Sequence, residues 1–301
     1  MRIALAGEGA IARKHVAALG RMQDVEIAIV AGGDPSDTTE FAEEFSIPDW
    51  TLDLDGALEH RDVEAVLLAT PTPLHASQAL RCLDAGKHIL VEIPMAETLE
   101  DSESIVAKQR ETGLVAMVCH TRRFNPGHVW IHERIASGEL KLQHLVVETL
   151  FFRRDNWNAL GRHRDWTDHL LWHHACHTVD LFRYQTGRTI AEVWSQQGPT
   201  HPDLGIAMDM TVALRDDEGV LCSLAMSFNH DGPFGTWIRS SATMGRTWPD
   251  TTHWSTAGTT RSTSMRSRDR AMASNDRTAS SSMRLRRGGS PTPASVRLSR
   301  R

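Results

Sequence analysis

The chain has 301 residues, of which 40% are hydrophobic and 24% are charged, and it carries a formal net charge of −5. A soluble protein of this length can form two domains with separate cores. No apolar run reaches the roughly 18 residues of a membrane span, and the N-terminal apolar run stops at Gly7, so we expect neither a membrane segment nor a signal peptide.

The cysteines are widely spaced and form no C-x-x-C pair. This spacing argues against a disulfide framework and against a cysteine zinc site. The four residues are Cys82, Cys119, Cys176 and Cys222. We therefore expect a reducing, cytoplasmic location and no bound metal.

The N-terminal residues have the pattern of a dinucleotide-binding turn. An apolar strand is followed by GEGAIA, which places Gly7, Gly9 and Ala12 in the G-x-G-x-x-G/A positions at the start of a helix. Glycine permits a tight turn and a close approach to a pyrophosphate, whose charge the helix N-terminus attracts. A second strand, VEIAIVA, ends just before Asp34, where an acid can bind a ribose hydroxyl. An ordinary βα turn is the alternative. The predicted cofactor contacts here are Gly7, Gly9, Ala10, Ile11, Ala12 and Asp34.

The next segment, DVEAVLLATPTPLHASQALRCLDAGKHILVEIP, alternates apolar strands with an amphipathic helix. This alternation predicts a parallel sheet covered by helices, and with the N-terminal unit it predicts a doubly wound Rossmann domain over residues 1–122. Ligands bind at the carboxyl edge of such a sheet, so the loops after two strands should border the nicotinamide. The residues predicted there are Thr70, Pro71, Thr72, His75, Glu92, Ile93 and Pro94.

Residues 123–240 predict a second domain of the α+β class. A helix, GHVWIHERIASG, precedes the strand LQHLVVETLFF, and three further strand patterns follow a histidine-rich segment. These patterns predict a mainly antiparallel open sheet that lacks its later strands. We expect this sheet to form the back wall of the site or a subunit contact in a homodimer.

The histidine-rich segment, WTDHLLWHHACHTVDL, is predicted to be a helix over residues 166–181. At about 100° per residue, one arc carries Leu171, Trp172, Ala175, Cys176, Val179 and Phe182. The adjacent arc carries His169, His173, His177 and Asp180. Packing on the first arc would present the second to a cleft, where imidazoles suit proton transfer, anion binding or metal binding. A solvated polar face is the alternative.

Two pairs of arginines follow predicted strands. They are Arg122 with Arg123, and Arg153 with Arg154. Guanidinium groups bind carboxylates bidentately, so these arginines, together with His174, are predicted to bind a substrate that carries carboxylates. Simple surface solubility is the alternative for each pair.

From about residue 241 the composition changes. This tail holds 12 Arg and 3 Asp, a balance of +9, and leaves the first 240 residues with 21 basic and 35 acidic side chains, a balance of −14. Only three Ile, Leu or Val residues occur in its 61 positions, so we expect residues 241–301 to be disordered. Aromatic and basic residues do not alternate as in a nucleic-acid groove. A change of reading frame explains the composition better.

Several motifs resemble the glucose-fructose oxidoreductase and inositol dehydrogenase family. They are ATPTPLH, AGKHILVEIP and the H-x-x-x-H-x-x-D pattern at His173, His177 and Asp180. The runs HTRRFNP, FFRRDN and WTDHLLWHHACHTVDLF are similar to one branch of it, and the resemblance extends from Met1 to about Arg239. It implies an NAD(P)-dependent dehydrogenase acting on a CH–OH group, here the cyclic hemiacetal of a carboxylated ring-cleavage product, which is oxidised to a lactone.

Two departures from the family pattern bear on proton transfer. The sequence Glu92-Ile93-Pro94 replaces the family's Glu-Lys-Pro and removes its lysine, and His173 stands where an Asp is usual. Proton transfer therefore falls to imidazoles, which we expect to titrate near neutrality without a large pKa shift. We predict that His177 is the base and that His173 orients the substrate.

The cofactor prediction rests on the edge near Asp34. Its carboxylate would repel a 2′-phosphate, and GGDPSD supplies no arginine to bind one. NAD should therefore be used at least as well as NADP, while the family resemblance leaves NADP open.

Three alternatives to this function remain at this point. One is another sugar or polyol dehydrogenase of the same family. A second is a hydrolase with a metal on His169, His173 and His177, although ligands at one-turn spacing on one helix are strained. The third is a non-catalytic cofactor-binding protein, which turnover would distinguish. We expect a small-molecule substrate and neither a nucleic-acid nor a membrane partner.

Overall fold

The computed structural model describes residues 1–244 and, for the backbone alone, residues 251–256. The first sheet has six parallel strands in the order β3-β2-β1-β4-β5-β6. They are β1 (Arg2–Ala6), β2 (Glu26–Ala31), β3 (Asp49–Thr51), β4 (Ala65–Leu68), β5 (His88–Val91) and β6 (Ala116–Val118). The order reverses at β1, between β2 and β4, which is where such sheets open a ligand crevice. The predicted doubly wound Rossmann fold is confirmed.

Five helices connect these strands. They are α1 (Ala10–Leu19), α2 (Pro35–Phe45), α3 (Leu54–Glu59), α4 (His75–Asp84) and α5 (Leu99–Thr112). Thr98 caps α5 by accepting the Asp101 N–H at 3.1 Å, and Gly113 ends it with a left-handed φ of 66°. In the described part of the chain, no helix is long and apolar enough to cross a membrane.

The second domain places two helices and a segment of irregular chain beside a six-stranded mixed sheet in the order β12-β11-β7-β10-β9-β8. Its elements are α6 (Pro126–Ala136), β7 (Leu140–Leu150), α7 (Cys176–Thr186), β8 (Ile190–Gln197), β9 (Asp209–Asp216), β10 (Leu221–Ser227), β11 (Gly235–Met244) and β12 (Thr251–Thr256). Only β7 and β10 pair in parallel, so the predicted mainly antiparallel α+β domain is confirmed. Leu181 and Phe182 of α7 are fully buried in the core of this domain.

The boundary predicted at residue 240 lies inside a strand. β11 continues to Met244, and the backbone of β12 pairs with it. The inward positions of β11 include Ile238, Ser240 and Ala242, all buried. A count of large apolar residues missed this strand because two of these three side chains are small. The remainder of the tail that we predict to be disordered lies outside the described residues.

The histidine-rich segment is not one continuous α-helix. Residues Leu170–Ala175 form a π-helical stretch, and α7 begins only at Cys176. The i→i+5 hydrogen bonds of a π-helix change the angle per residue, so arcs drawn at 100° lose their phase here. Leu171 is therefore exposed, whereas Leu170 and His173 are buried. The predicted packing arc is wrong at Leu171 and right at Ala175 and Phe182.

We predict that Gly7→Ala destabilises the fold. Gly7 has a φ of +105°, and an added Cβ would overlap the carbonyl oxygen of Ala69. The expected loss is on the order of 1–3 kcal/mol in the free energy of unfolding, measured by urea titration. Gly9→Ala is the control, because its added Cβ meets nothing within 4 Å. Equal stability of the two variants would contradict the steric argument.

Candidate active site

A cleft of about 670 Å³ opens at the carboxyl ends of β1, β4 and β5. Its opposite wall is the strap, which we define as residues 153–168 between β7 and the π-helical stretch. The structure brings most of the predicted residues to this cleft. They are Gly7, Gly9, Ala10, Ile11, Thr70, Pro71, Thr72, His75, Glu92, Ile93, Arg153, His173 and His174.

The glycine turn fits the pyrophosphate of a dinucleotide. The Gly7 N–H donates to the Ala31 carbonyl at 2.8 Å, which holds the turn against β2. No side chain caps the N-terminus of α1, and nothing lies within 4 Å of the position that a Gly9 Cβ would take. Free N–H groups at a helix start beside open space are suited to bind an anion. Ala12 is fully buried beneath the turn and does not line the cleft.

The predicted ribose edge is more crowded than its sequence suggests. The Asp34 carboxylate caps α2, accepting the N–H groups of Ser36 at 2.9 Å and Asp37 at 3.1 Å, and Asp34 does not line the cleft. Glu8 accepts the Gly33 N–H at 3.0 Å. From the strap, Arg162 pairs bidentately with Asp37. An arginine therefore does reach this edge, contrary to the expectation from GGDPSD, because the second domain supplies it.

The loops predicted to border the nicotinamide are joined by buried hydrogen bonds. The buried His75 ring places Nδ1 2.8 Å from the Pro94 carbonyl oxygen and Nε2 2.9 Å from the Thr70 carbonyl oxygen, which joins the two predicted loops. Pro94 follows a cis peptide bond and lies just behind the lining residues. Burial opposes ionisation of Glu92, but its hydrogen bonds outweigh burial and hold its pKa below the ordinary value.

In the described part of the chain, one group brings three potential metal-ligand atoms within 4.8 Å of one another. It consists of His15, Glu92 and Cys119. His15 Nε2 lies 2.6 Å from the Glu92 carboxylate, which ties α1 to the end of β5. Burial raises the pKa of the Cys119 thiol to about 12, so this sulfur stays protonated.

His173 links the second domain to the Rossmann domain. Its Nδ1 accepts the backbone N–H of His169 at 2.9 Å, so the ring proton lies on Nε2. Nε2–H donates to Thr72 Oγ1 at 3.1 Å. Burial lowers the pKa of His173 to about 4. His173 is therefore a neutral donor whose orientation is fixed by hydrogen bonds at both nitrogens.

His177 lies one helical turn further on and does not itself line the cleft, although Glu92, which does line it, lies close enough to act on its charge. Its Nδ1 is buried with no hydrogen-bond partner in the described structure. Its ring lies edge-on to that of His120, with 6.2 Å between the ring centroids. Burial lowers the pKa of His177 to about 4, and the charges of Arg122 and His120 act in the same direction. The expectation that these imidazoles titrate near neutrality therefore does not hold, because both rings are desolvated.

Of the four predicted arginines, only Arg153 lines the cleft. Arg123 forms a bidentate ion pair with Asp180, and Arg154 donates to two backbone carbonyls, at 2.6 Å and 3.2 Å. Arg122 donates to Thr178 Oγ1 at 2.9 Å and to Thr236 Oγ1 at 3.5 Å, and burial lowers its pKa to about 10.

The strap supplies the lining residues that the sequence analysis missed. The charged or aromatic ones are Trp157, Arg162, His163, Arg164, Asp165, Trp166 and Asp168, and Glu8 joins them from the glycine turn. The strap folds back on itself through a bridge between Trp157 and His163. Its alternating Arg, His and Asp residues were the available signal, but no regular period marked the segment as a wall of the site.

Sequence and structure comparisons agree with this geometry. Residues 1–120 match the family described as "Oxidoreductase family, NAD-binding Rossmann fold", and residues 126–260 match "Bacterial oxidoreductases, C-terminal". Over 239 residues the chain is 52% identical to the 4-carboxy-2-hydroxymuconate-6-semialdehyde dehydrogenase of Sphingobium sp. (strain NBRC 103272 / SYK-6). That match covers 79% of this chain and 76% of the relative.

Two solved structures share the fold. The WlbA dehydrogenase from Bordetella pertussis, in complex with NADH and UDP-GlcNAcA, matches with a TM-score of 0.74 and 22% identity over 85% of this chain and 74% of its own. GenD2 from gentamicin A biosynthesis, in complex with NAD, matches with a TM-score of 0.71 and 21% identity over 84% of this chain and 72% of its own.

The fold and the cleft thus define a nicotinamide-dependent oxidoreductase that acts on CH–OH groups. The chain belongs to the glucose-fructose oxidoreductase and inositol dehydrogenase family, as its motifs predicted.

We predict that these desolvated histidines make the protein less stable as the pH decreases below 6.5. Burial lowers the pKa values of His173 and His177 to about 4 and that of His174 to about 3. Below pH 6.5 the unfolded chain takes up protons that the folded chain does not. Each such histidine therefore removes about 1.4 kcal/mol of stability per pH unit until its folded pKa is reached.

His174→Leu tests this linkage, because His174 packs against Phe151 and Phe228 with its Nε2 unpartnered in the described structure. Urea unfolding at pH 7, 6 and 5 should show a slope shallower by about one proton in the variant. The same slope in variant and wild type would contradict the prediction.

Proposed function

We propose that the protein oxidises the cyclic hemiacetal of 4-carboxy-2-hydroxymuconate-6-semialdehyde to 2-pyrone-4,6-dicarboxylate, in the protocatechuate 4,5-cleavage route. The observation that carries the proposal is one cleft that combines an open glycine turn, a neutral histidine hydrogen-bonded to the nicotinamide loop, and a buried arginine. The relative at 52% identity bears the name of this activity.

The reaction removes two groups from the substrate. The hemiacetal carbon loses a hydride and its hydroxyl loses a proton, so the C–O bond becomes the carbonyl of the lactone. When bound, NAD(P)⁺ supplies the hydride acceptor. His177 is the proposed base, because its imidazole is unprotonated above a pH of about 4 and it lies one helical turn from His173, which lines the cleft.

His173 has a different proposed role. Its Nδ1 lone pair accepts the His169 N–H, and its Nε2 proton faces Thr72, so it cannot take up a proton without breaking a buried hydrogen bond. We propose that it orients the substrate indirectly, by holding the loop that carries Thr72 through its Nε2–H. Arg153 is the proposed partner of a substrate carboxylate, because it is the predicted arginine that reaches the cleft.

Two other functions compete with this proposal. One is a sugar or polyol dehydrogenase of the same family; an uncharged substrate would not need a cation in the cleft, so Arg153 favours a carboxylated substrate. A non-catalytic cofactor-binding protein would bind the cofactor without turnover. Formation of the lactone from the semialdehyde, with reduction of the cofactor followed at 340 nm, separates these possibilities.

We further propose NAD as a cofactor used at least as well as NADP. Glu8, Asp34 and Asp37 place three carboxylates at the predicted ribose edge, and Arg162 already pairs with one of them.

We propose that the subunits form a homodimer through the sheet of the second domain, where Val193 and Trp194 of β8 are 65% and 55% exposed. The four free thiols favour a cytoplasmic location.

The base assignment predicts that His177→Asn lowers kcat by about 10²–10⁴. With a pKa of about 4, the wild-type kcat/KM should fall as the pH drops through 4, and the variant should lose this limb. Steady-state rates between pH 3.5 and 9, with folding checked at each pH, provide the measurement. His173→Asn is the comparison, since it keeps His177 and should keep the limb. An identical pH profile in wild type and His177→Asn would exclude this base.

The cofactor proposal predicts that kcat/KM for NAD equals or exceeds that for NADP. Asp37→Asn releases Arg162 and removes a carboxylate, so it should shift the ratio toward NADP by about twofold to fivefold, the range of an exposed ion pair. Steady-state kinetics with both cofactors measure the ratio. A tenfold advantage for NADP in the wild type would show the assignment to be wrong.

A further inference from the structure

Two arginines of the strap share one carboxylate inside the cleft. Arg153 Nη2 donates to Asp168 Oδ2, and Arg164 donates to both oxygens of Asp168, at 3.0 Å and 3.2 Å. Each of the three side chains is less than one-fifth exposed. All three line the cleft that holds the glycine turn.

The charges in this group do not cancel. Two guanidinium groups face one carboxylate, and the adjacent His173 adds no positive charge because burial lowers its pKa to about 4. Asp155 also acts on Arg153, but it is exposed and accepts the backbone N–H of Trp157. Within this group of three side chains, the two guanidinium groups therefore carry one positive charge more than the Asp168 carboxylate balances, and such an excess at a poorly hydrated site favours binding of an anion. Glu8, Glu92 and Asp165 also line the cleft, but in the described structure they form no ion pair with these two arginines.

The hydrogen-bonding groups are unbalanced as well. Arg153 Nη1 and Arg164 Nε are buried and have no hydrogen-bond partner in the described structure. A buried donor without a partner carries the cost of its lost hydration. Asp168 already accepts from both arginines, so further acceptors have to come from another molecule.

The surroundings of Arg164 favour a planar ligand. Its guanidinium lies 4.5 Å above the Trp166 ring, and Trp166 stacks on His173 at 5.5 Å with 21° between the planes. The Nε2 of His173 lies 3.9 Å from Asp168 and 3.1 Å from Thr72 on the nicotinamide loop. An anion at the arginines would thus lie on the substrate side of the cleft, beside flat ring faces.

We propose that Arg153 and Arg164 bind one ring carboxylate of the substrate, and that Asp168 holds the two guanidinium groups in position for it. The inference rests on the proposed function for the identity of its ligand, a planar ring dicarboxylate. Arg164 and Asp168 thereby become specificity residues in addition to the predicted Arg153.

The test uses the full chain saturated with NADH. The probe is 2-pyrone-4,6-dicarboxylate, and its binding is measured by calorimetry. Arg164→Gln should weaken this binding by about tenfold to a hundredfold, the range for a hydrogen bond to a charged group. Arg164→Lys keeps the positive charge but loses the bidentate guanidinium, so its affinity should lie between those of wild type and Arg164→Gln. Arg215→Gln is the matched control, because Arg215 pairs with Glu192 on exposed strands outside the cleft.

Position is tested with 2-pyrone-4-carboxylate and 2-pyrone-6-carboxylate. For one of these monocarboxylates, Arg164→Gln should weaken binding relative to wild type by the same factor as for the dicarboxylate. For the other, the substitution should change the affinity little. Equal losses for both would overturn the assignment to one carboxylate. Unchanged dicarboxylate affinity in Arg164→Gln would overturn the site, and so would an equal loss of NADH affinity, which indicates a general structural defect.

Turnover separates this inference from the proposed function. If wild type binds the dicarboxylate through Arg164 but does not oxidise the semialdehyde, the carboxylate site stands and the proposed function fails. If the semialdehyde is oxidised with the same KM by wild type and Arg164→Gln, the proposed function stands and the carboxylate site fails.

Discussion

The cleft depends on one buried hydrogen bond between residues 101 positions apart, from His173 Nε2 to Thr72 Oγ1. Thr72 belongs to the loop after β4, and His173 belongs to the π-helical stretch of the second domain. Because both groups are buried, replacing either side chain by one that cannot form the bond would leave the other without a partner. The bond therefore fixes the distance between the loop that carries Thr72 and the π-helical stretch, which leads directly into the helix that carries His177.

The π-helical stretch makes this bond compatible with a packed helix. In a regular α-helix the side chain of Leu171 would lie on the packed face, whereas the wider turn exposes it and buries His173. The same desolvation that lowers the histidine pKa values keeps the imidazoles neutral at physiological pH. The lowered pKa of these histidines thus has two effects: it reduces stability in acid, and it keeps an unprotonated imidazole available near neutral pH.

The sequence predicts those parts of the fold that have a regular period or a fixed turn chemistry. Gly7 identifies the predicted pyrophosphate turn because few residues tolerate its positive φ and its close approach to Ala69. The apolar strands identify the parallel sheet, and Gly113 marks the end of α5. Each of these signals is local, so a single stretch of chain contains all the information that the prediction needs.

Features that depend on distant contacts could not be predicted in this way. Arg162 and Arg164 reach the cleft because the strap crosses from one domain toward the other, and no period in the sequence records that path. Arg123 matched the carboxylate pattern as well as Arg153 did, yet it pairs with Asp180. β11 was missed because small side chains fill two of its inward positions, Ser240 and Ala242.

The strap joins the Rossmann domain through two contacts of different kinds. At the ribose edge, the ion pair between Arg162 and Asp37 is open to water, with the arginine 58% exposed, so dissolved salt screens it. At the other end, Asp168 and His173 lie in the interior, where screening is weak. Ionic strength therefore weakens the contact at the predicted ribose edge far more than the contact between Asp168 and His173, so the two ends of the strap respond to different properties of the solution.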